Sequence, residues 1–527
     1  MYRITVGDFA NETYGSEQYL QNWPVIYILL NENEVYIGQS NHVLTRMKEH
    51  KGTLEKGIFD RVYFIYSKEF NQSVTLDYEA RMIQLIAADG QFCVRNKNAG
   101  IADKAYFNRE YYNLQFRTLW EKLRKMKLVK HTMDEIANTD FFKYSPYVEL
   151  NDNQREIVDG IHQEIKENGG SPIVVYGMPG SGKTIVAVFL LKMLKDDEAF
   201  REKKIALVVP QTSLRETLKN LFRSIYGLSA SDVLGPTEVT KECYDILLVD
   251  EAHRLHQRKN IPYQRAFDDA SERLGLPETC DELDWILHQC KCPILFFDKY
   301  QVVGPSGISM ERINKKLKQG FMNGMVSYTL STQMRVNGGV DYIGYVRTML
   351  NGSLKAKKGF DNYEFKLVKS FELFHSLLYE KEQEHALCRM IAGYAWRWLS
   401  KTDASKTDIS IDGIHKKWNN RTKGWVHSET ALDEVGCIHS IQGYDLNYAF
   451  VIMGNDIGYD KKEQRIIIRP EHYFDQNGKK TATYPELLTY IRNIYYVLMT
   501  RGIKGTYLYI CDPDLRDYLE AYIDCIG

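Results

Sequence analysis

The chain has 527 residues, 44% hydrophobic and 26% charged, with nine cysteines and a net charge of -1. That length and balance suit a globular protein of three or so domains, and they leave no global basicity, so any nucleic-acid binding rests on local patches. The lack of an apolar run of about 18 residues excludes a membrane span, and scattered cysteines without an N-terminal signal read as reduced thiols of a cytoplasmic protein.

In chain order, residues 25–30 (V-I-Y-I-L-L) and 35–38 (V-Y-I-G) read as two strands joined by the turn-like Asn31-Glu32-Asn33-Glu34, which places Tyr27 and Tyr36 on facing strands. Ser40-Asn41 can cap a helix on which Arg46 and His50, four apart, share a face. A later helix over residues 75–88 carries Glu79 on or beside an apolar stripe of Met82, Ile83 and Ile86. A carboxylate there costs free energy unless it has a partner such as a metal. Taken singly, the tyrosines could be strand aromatics, His50 a helix cap and Glu79 a partner of Arg81.

Residues 106–131 interleave Tyr106, Phe107, Tyr111, Tyr112, Phe116 and Trp120 with Arg117, Lys122, Arg124, Lys125, Lys127 and Lys130. The pattern suits single-stranded nucleic acid, or more simply an amphipathic helix that docks one domain on another. The next element is the most specific in the chain. An apolar strand at 172–176 runs into Gly177-Met178-Pro179-Gly180-Ser181-Gly182-Lys183-Thr184 and then a helix from 185. This strand–loop–helix context suits a phosphate-binding loop: backbone N–H groups close around phosphate, Lys183 reaches the β/γ-phosphates and the Thr184 hydroxyl ligates Mg2+ of bound ATP. A second strand at 245–249 ends in Asp250-Glu251, placing Asp250 to hold Mg2+ through water and Glu251 to orient the attacking water. Residues 400–425 are polar and basic and read as an exposed loop.

The first hundred residues resemble the GIY-YIG endonuclease domain, in the order Ile26-Tyr27, Tyr36-Ile37-Gly38, Arg46 and His50, Glu79 and Asn96, with Val25 in place of the leading glycine. The resemblance implies one divalent metal (Mg2+ or Mn2+) on Glu79 and in-line attack of water on phosphorus. Tyr27, relayed through His50, would help remove the proton and Arg46 would neutralise charge, with Tyr36 and Asn96 positioning substrate and metal shell. From about residue 145 onward, the order Gln154, the phosphate loop, Val208-Val209-Pro210, Asp250-Glu251, Asp298 and Gln301, Gln333-Met334-Arg335, the run from Ile438 to Gly443, and Thr500-Arg501 is similar to superfamily 1 helicases, and most to Schlafen-related ATPases. That resemblance implies that Gln154 reads adenine, Gln301 senses the γ-phosphate, Gly443 joins the nucleotide site, and Arg335 and Arg501 act as arginine fingers. Asp445 stands where many such helicases carry glutamate in a ribose or metal contact.

The expected fold class is α/β: a small GIY-YIG α/β nuclease domain (1–103), a helical aromatic and basic linker (104–147), and two RecA-like parallel-sheet P-loop domains (148–322 and 323–527). The expected function is an ATP-dependent motor coupled to endonucleolytic cleavage of single- or double-stranded DNA, plausibly in defence against foreign DNA. An ATP-controlled clamp without efficient cutting and an RNA-directed enzyme are the other readings.

Overall fold

The computed structural model describes residues 2–15, 18–53, 56–97, 106–137, 139, 142, 144–147, 150–169, 171–261, 263–320, 325–420, 424–441 and 444–527. The chain divides into two compact units, one of residues 1–162, 184–207 and 215–234, the other of residues 163–183, 208–214 and 235–527. Among the described residues no helix is long and apolar enough to cross a membrane.

The first unit begins with a five-stranded sheet of β1 (Arg3–Asp8), β2 (Val25–Leu30), β3 (Glu34–Ser40), β4 (Arg61–Tyr66) and β5 (Cys93–Val94), ordered β1-β4-β2-β3-β5. β2 is central, and every one of its residues is buried, which is why it reads as an unbroken apolar run. It pairs antiparallel with β3 so that Tyr27 lies opposite Gly38 and Leu29 opposite Tyr36. Helix α1 (Val43–Lys51) sends Val43 and Met47 into a core with Phe9, Tyr27, Leu29 and Phe64. Helix α2 (Gln72–Asp89) is started by Asn71, whose side chain accepts the Val74 N–H, and stopped by left-handed Gly90.

Helix α3 (Arg109–Lys125) buries Tyr112, Phe116, Leu119, Trp120 and Leu123, the single stripe that a 3.6-residue period requires. Its aromatics pack on α2: Tyr78 donates to the Tyr112 carbonyl at 2.6 Å, and Arg81 lies over the Phe116 ring at 3.9 Å. Buried Asp89 accepts the N–H groups of Lys130 and His131, tying the chain after α3 to the end of α2. The basic residues Arg117, Lys122 and Lys125 face solvent.

The second unit holds two parallel sheets. In the first, β6 (Ile173–Gly177) lies between Cys290–Phe297 and Val326–Leu330, with Tyr244–Val249 beyond Cys290–Phe297. Register aligns Tyr176 with Phe297, and Leu295 with Val249. Gly177, Asp250, Asp298 and the chain after Leu330 therefore leave the sheet at one carboxyl edge, where open parallel sheets bind ligands. The second sheet has the order Cys388–Ala392, Leu446–Met453, Gly502–Ile510, Glu364–Val368, Asp524–Ile526, again parallel throughout. The helix Tyr484–Met499 packs into its core through Leu487, Ile491, Ile494, Tyr495 and Leu498.

The exposed loop expected at 400–425 is replaced in part by a small sheet of Ile409–Ile411, Ile414–Trp418 and Glu434–Val435. Asp412-Gly413, both left-handed, makes the tight hairpin turn, and Lys416 and Trp418 are buried rather than solvated. Polar composition masked a two-residue alternation. Arg421 and Lys423 lie outside the described residues.

Candidate active sites

In the first unit the antiparallel register and the α1 helix bring Tyr27, Tyr36 and His50 together. The Tyr27 hydroxyl meets His50 Nε2 at 2.7 Å, the two tyrosine rings stack at 6.3 Å, and His50 packs edge-on to Tyr36 at 5.4 Å. Burial pushes the His50 imidazole down to about 3, with the Lys56 and Arg46 charges adding to the effect. The ring is therefore neutral near pH 7, and its Nε2 shares one hydrogen bond with the Tyr27 hydroxyl. Burial, helped by Tyr36, pushes the Tyr27 hydroxyl far above its usual range, so it stays protonated near pH 7.

Glu79 projects from α2 toward the same cluster. Burial raises its carboxyl to about 7, against the backbone N–H of Gln39 and the charges of Arg46 and Lys56. Arg46 itself pairs with Glu49 at 2.6 Å on the exposed side of α1. Asn96 braces the sheet: its amide donates to the Ile37 carbonyl at 2.7 Å and accepts the Ile37 N–H at 3.1 Å, fixing β3 between Tyr36 and Gly38.

Gly38 completes this geometry, because a Cβ there would collide with the Tyr27 ring end and hydroxyl. Gly38→Ala is expected to break the Tyr27–His50 bond and cost about 1–3 kcal/mol of stability, the usual range for overpacking. Thermal unfolding measures it, and an unchanged midpoint would mean that Tyr27 is free to move aside.

In the second unit the carboxyl edge of the first sheet gathers the phosphate loop and its neighbours. Lys183 opens the helix Lys183–Asp196, with Thr184 its second residue. The Lys183 ammonium donates to the carbonyls of Gly177 and Met178 at 3.0 and 3.2 Å and lies 3.6 Å from Asp298. Asp298 is held by the Gln301 amide at 2.8 Å and the Tyr300 N–H at 3.0 Å. Asp250 is fully buried, and its Oδ1 takes the Glu251 N–H at 2.9 Å. Glu251, itself left-handed, lies 2.9 Å from His253 Nε2 and 3.4 Å from Arg254 Nε. The Asp298 N–H donates to His253 Nδ1 at 3.3 Å, which holds the ring with its Nε2 beside the Glu251 carboxylate. Burial pushes the Glu251 carboxyl up, but His253, Lys183 and Arg254 together outweigh it and hold the group well below the carboxylate range.

The segment after Leu330 closes on this loop. Gln333 donates to the Pro179 carbonyl, Met334 N–H to the Gly180 carbonyl at 2.9 Å, and the Gln333 side-chain oxygen accepts the Arg335 N–H at 2.7 Å. Gly180 is left-handed, and a Cβ there would strike Gln333 and Arg335, so only glycine permits this approach. Arg335 pairs with Asp445, the residue that stands where many such helicases carry glutamate. Arg501 is buried, and desolvation, with Arg335 beside it, pushes its guanidinium down to about 9. Two guanidiniums thus lie close to Glu251 and the loop, a charge arrangement fit to meet a polyanion.

Gln154, in the first unit, is buried with its side chain accepting the Asn151 N–H at 3.1 Å. Ser181 is buried beside Gly177. Gly443 falls outside the described residues. Sequence reading missed Arg254, Asp445 as an arginine partner, and Tyr300. The signal for Arg254 was its place directly after Asp250-Glu251-Ala252-His253; the others are visible only in three dimensions.

Beside these groups, within the same unit, lies a cavity of about 380 Å3 lined by Pro210, Gln211, Gln301, Gly304, Tyr394 and His439. The Tyr394 and His439 rings stand 6.1 Å apart. Aromatic walls next to polar loop ends can stack unpaired bases while backbone phosphates stay solvated.

Comparison with known proteins gives one family whose model matches, Schlafen group 3, DNA/RNA helicase domain, over residues 171–512. An uncharacterised protein of Saccharomyces cerevisiae is 26% identical over 390 residues, covering 66% of this chain and 83% of the relative. Among solved structures, Pif1 helicase from Bacteroides in complex with ADP-AlF3 and single-stranded DNA is 13% identical, with 68% of this chain and 92% of that chain covered and a TM-score of 0.28. DnaA from Aquifex aeolicus bound to AMPPCP is 17% identical over 41% of this chain and 57% of that chain, with a TM-score of 0.21.

Proposed function

This chain belongs to the family of the Schlafen group 3 DNA/RNA helicase domain, matched over residues 171–512, and from that premise we propose that it is an ATP-driven nucleic-acid motor fused to a metal-dependent endonuclease of the GIY-YIG kind. The observation that carries the motor reading is the gathering of a phosphate loop, two acidic residues and two arginines at one carboxyl edge. Lys183 exchanges its loop carbonyls and Asp298 for the β/γ-phosphates. Glu251, held ionised by its cationic neighbours, orients the attacking water, while Arg335 and Arg501 meet the charge that spreads on the transferred phosphoryl group. Gln301 senses the γ-phosphate through Asp298, and Gln154 reads adenine. Thr184 and buried Asp250 are hard oxygen donors that fit Mg2+, which neutralises phosphate charge when bound.

The groove lined by Tyr394 and His439 takes the nucleic-acid strand. Gln301 both lines that groove and holds Asp298, while Tyr300 beside it accepts a hydrogen bond from Arg347 at 2.9 Å and packs on Tyr496 at 5.9 Å, and Asn493 donates to the Val302 carbonyl at 2.7 Å.

In the N-terminal domain, Glu79 is a half-buried carboxylate raised by burial more than Arg46 and Lys56 lower it, an oxygen donor that fits one divalent metal with water and phosphate completing its shell. Such a metal polarises a phosphoryl oxygen and stabilises the leaving oxygen. Tyr27 and His50 form the hydroxyl–imidazole pair that passes the proton of the attacking water, and Arg46 neutralises the phosphate. We place the boundaries at 1–103, 104–147, 148–322 and 323–527, with Val326–Leu330 crossing back from the last segment to complete the first sheet. DNA is the proposed substrate, and the pairing of motor and nuclease suits defence against foreign DNA.

The test combines turnover and cutting. Glu251→Gln is expected to keep ATP binding while lowering hydrolysis by about 10²–10³, the scale of a positioned general-base contribution. Cutting of plasmid and single strands with Mg2+ or Mn2+ should respond to Lys183→Ala. Turnover stimulated by RNA and not by DNA would move the substrate assignment to RNA.

A further inference from the structure

The N-terminal site contains a second cation that its motif residues do not include. α1 ends at Lys51, and the chain folds straight back: the Thr53 N–H and hydroxyl both donate to the His50 carbonyl, at 3.2 and 2.9 Å. The Thr53 carbonyl in turn accepts the N–H groups of Lys56 and Gly57, at 3.2 and 2.9 Å. The Lys56 side chain lies over the Tyr36 ring, with the ammonium 3.7 Å from the ring centroid. The same ring stacks on Tyr27 and meets His50 edge-on. The Lys56 charge reaches His50 and Glu79 as well. A lysine stem ordinarily samples many rotamers, and a cation over an aromatic face is held by about 0.5–2 kcal/mol, so the ammonium is kept at the mouth of the cluster instead of in bulk water.

Arg46 is the other cation there, and part of its charge is answered by Glu49. A nucleic-acid strand entering between Tyr27, Tyr36 and Glu79 brings phosphates on either side of the one at the proposed metal, and a half-neutralised guanidinium answers them only in part.

We propose that Lys56 is a substrate-binding residue of the N-terminal site, its ammonium contacting a backbone phosphate of the nucleic acid beside the one that Arg46 neutralises. The proposal rests on the nuclease reading of that site. It assigns Tyr36 a second task, that of platform for the ammonium, besides packing against Tyr27.

The experiment measures kcat and KM for cleavage of a linear DNA by the full chain, across about 50 to about 200 mM salt. Each phosphate contact contributes about 0.9 to the slope of log affinity against log salt, so Lys56→Gln should raise KM about tenfold at the low-salt end and make the slope of log(kcat/KM) shallower by about 0.9. The motor contributes equally to both proteins and cancels in the difference. Lys56→Arg, which keeps charge and ring contact, should retain the wild-type slope; a purely structural lysine would change the melting temperature and leave the slope alone. Wild-type cutting with unchanged KM and slope in Lys56→Gln overturns the role of Lys56 only. No cutting by wild type on any DNA or RNA overturns the nuclease reading and this role with it. If Lys56→Gln fails to fold, Lys56→Met, which keeps the stem without the charge, takes its place: a slope shallower by about 0.9 supports the assignment and a wild-type slope overturns it.

Discussion

Arg501→Ala is expected to lower ATP turnover by about 10³–10⁵ while leaving ATP affinity within about tenfold of wild type. Arg501 follows the helix Tyr484–Met499, is buried, and sits close enough to Arg335 for the two like charges to oppose each other. Asp445 and Glu251 offset only part of that repulsion and of the burial. The resting site thus tolerates an under-compensated guanidinium, and a transition state with charge spread over its phosphoryl oxygens relieves it. Such binding is stronger in the transition state than in the ground state and so acts on kcat. Arg501→Lys should rescue little, because a point charge cannot reproduce the planar fork. Removing Arg501 also ends its repulsion with Arg335, so the folded protein should not be destabilised in proportion to the lost activity. Turnover at saturating nucleic acid, set beside nucleotide binding, decides the matter: a loss smaller than tenfold would mean that Arg501 is a structural cation.

Glu79→Gln should do two opposite things. Cleavage should fall by at least about 10³, since a divalent ion at a phosphoryl centre is worth several kcal/mol and about 4 kcal/mol is a thousandfold. The metal-free protein, in contrast, should become more stable at pH 8. Burial raises the Glu79 carboxyl from 4.5 to about 7 in the folded state. Below about pH 4.5 the group is protonated folded and unfolded, and the penalty vanishes. As pH climbs through about 7, the folded protein must ionise a carboxyl that the unfolded chain ionises freely, and stability is lost until the penalty is complete. The shift converts to roughly 3 kcal/mol at most, and partial solvent access reduces that to roughly 1–3 kcal/mol. Glutamine stays neutral throughout. Chemical denaturation of the metal-free variant at pH 8 and pH 4.5 should therefore show a gain at the higher pH that disappears at the lower. A variant that cuts normally, or that gains equally at both values, would remove Glu79 from the proposed role.

What could be read in advance follows from how local each feature is. The phosphate loop was legible because eight consecutive residues and their flanking strand and helix carry the whole geometry. Asp250-Glu251 and Asp298 were legible because apolar strands announce their ends. Tyr27 opposite Gly38 was half legible: the strands were visible, but the need for glycine lies in a tyrosine eleven residues away. The pairing of Asp445 with Arg335 was not legible because the two residues lie 110 apart and nothing local marks it. The hairpin at Asp412-Gly413 was missed because its strands are short and the second carries two adjacent lysines, so composition outweighed alternation. Lys56 was invisible because its significance depends on a turn, and cation–ring contact leaves no spacing signature.

The helix Tyr484–Met499 is also a lever. At 16 residues it is about 24 Å long. One end runs into Arg501, Tyr496 touches Tyr300 one turn earlier, and Asn493 holds Val302 a further turn back. A tilt of about 5° pivoted at the arginine end would carry Tyr484 through roughly 2 Å, at 1.5 Å of rise per residue. The nearer contacts would move by less than half as much. A stiff rod gripped near its fulcrum turns a small displacement, of the size of a lost phosphate contact, into a large one at its tip, and the ratio of the two is set by where Asn493 and Tyr496 fall along the helix.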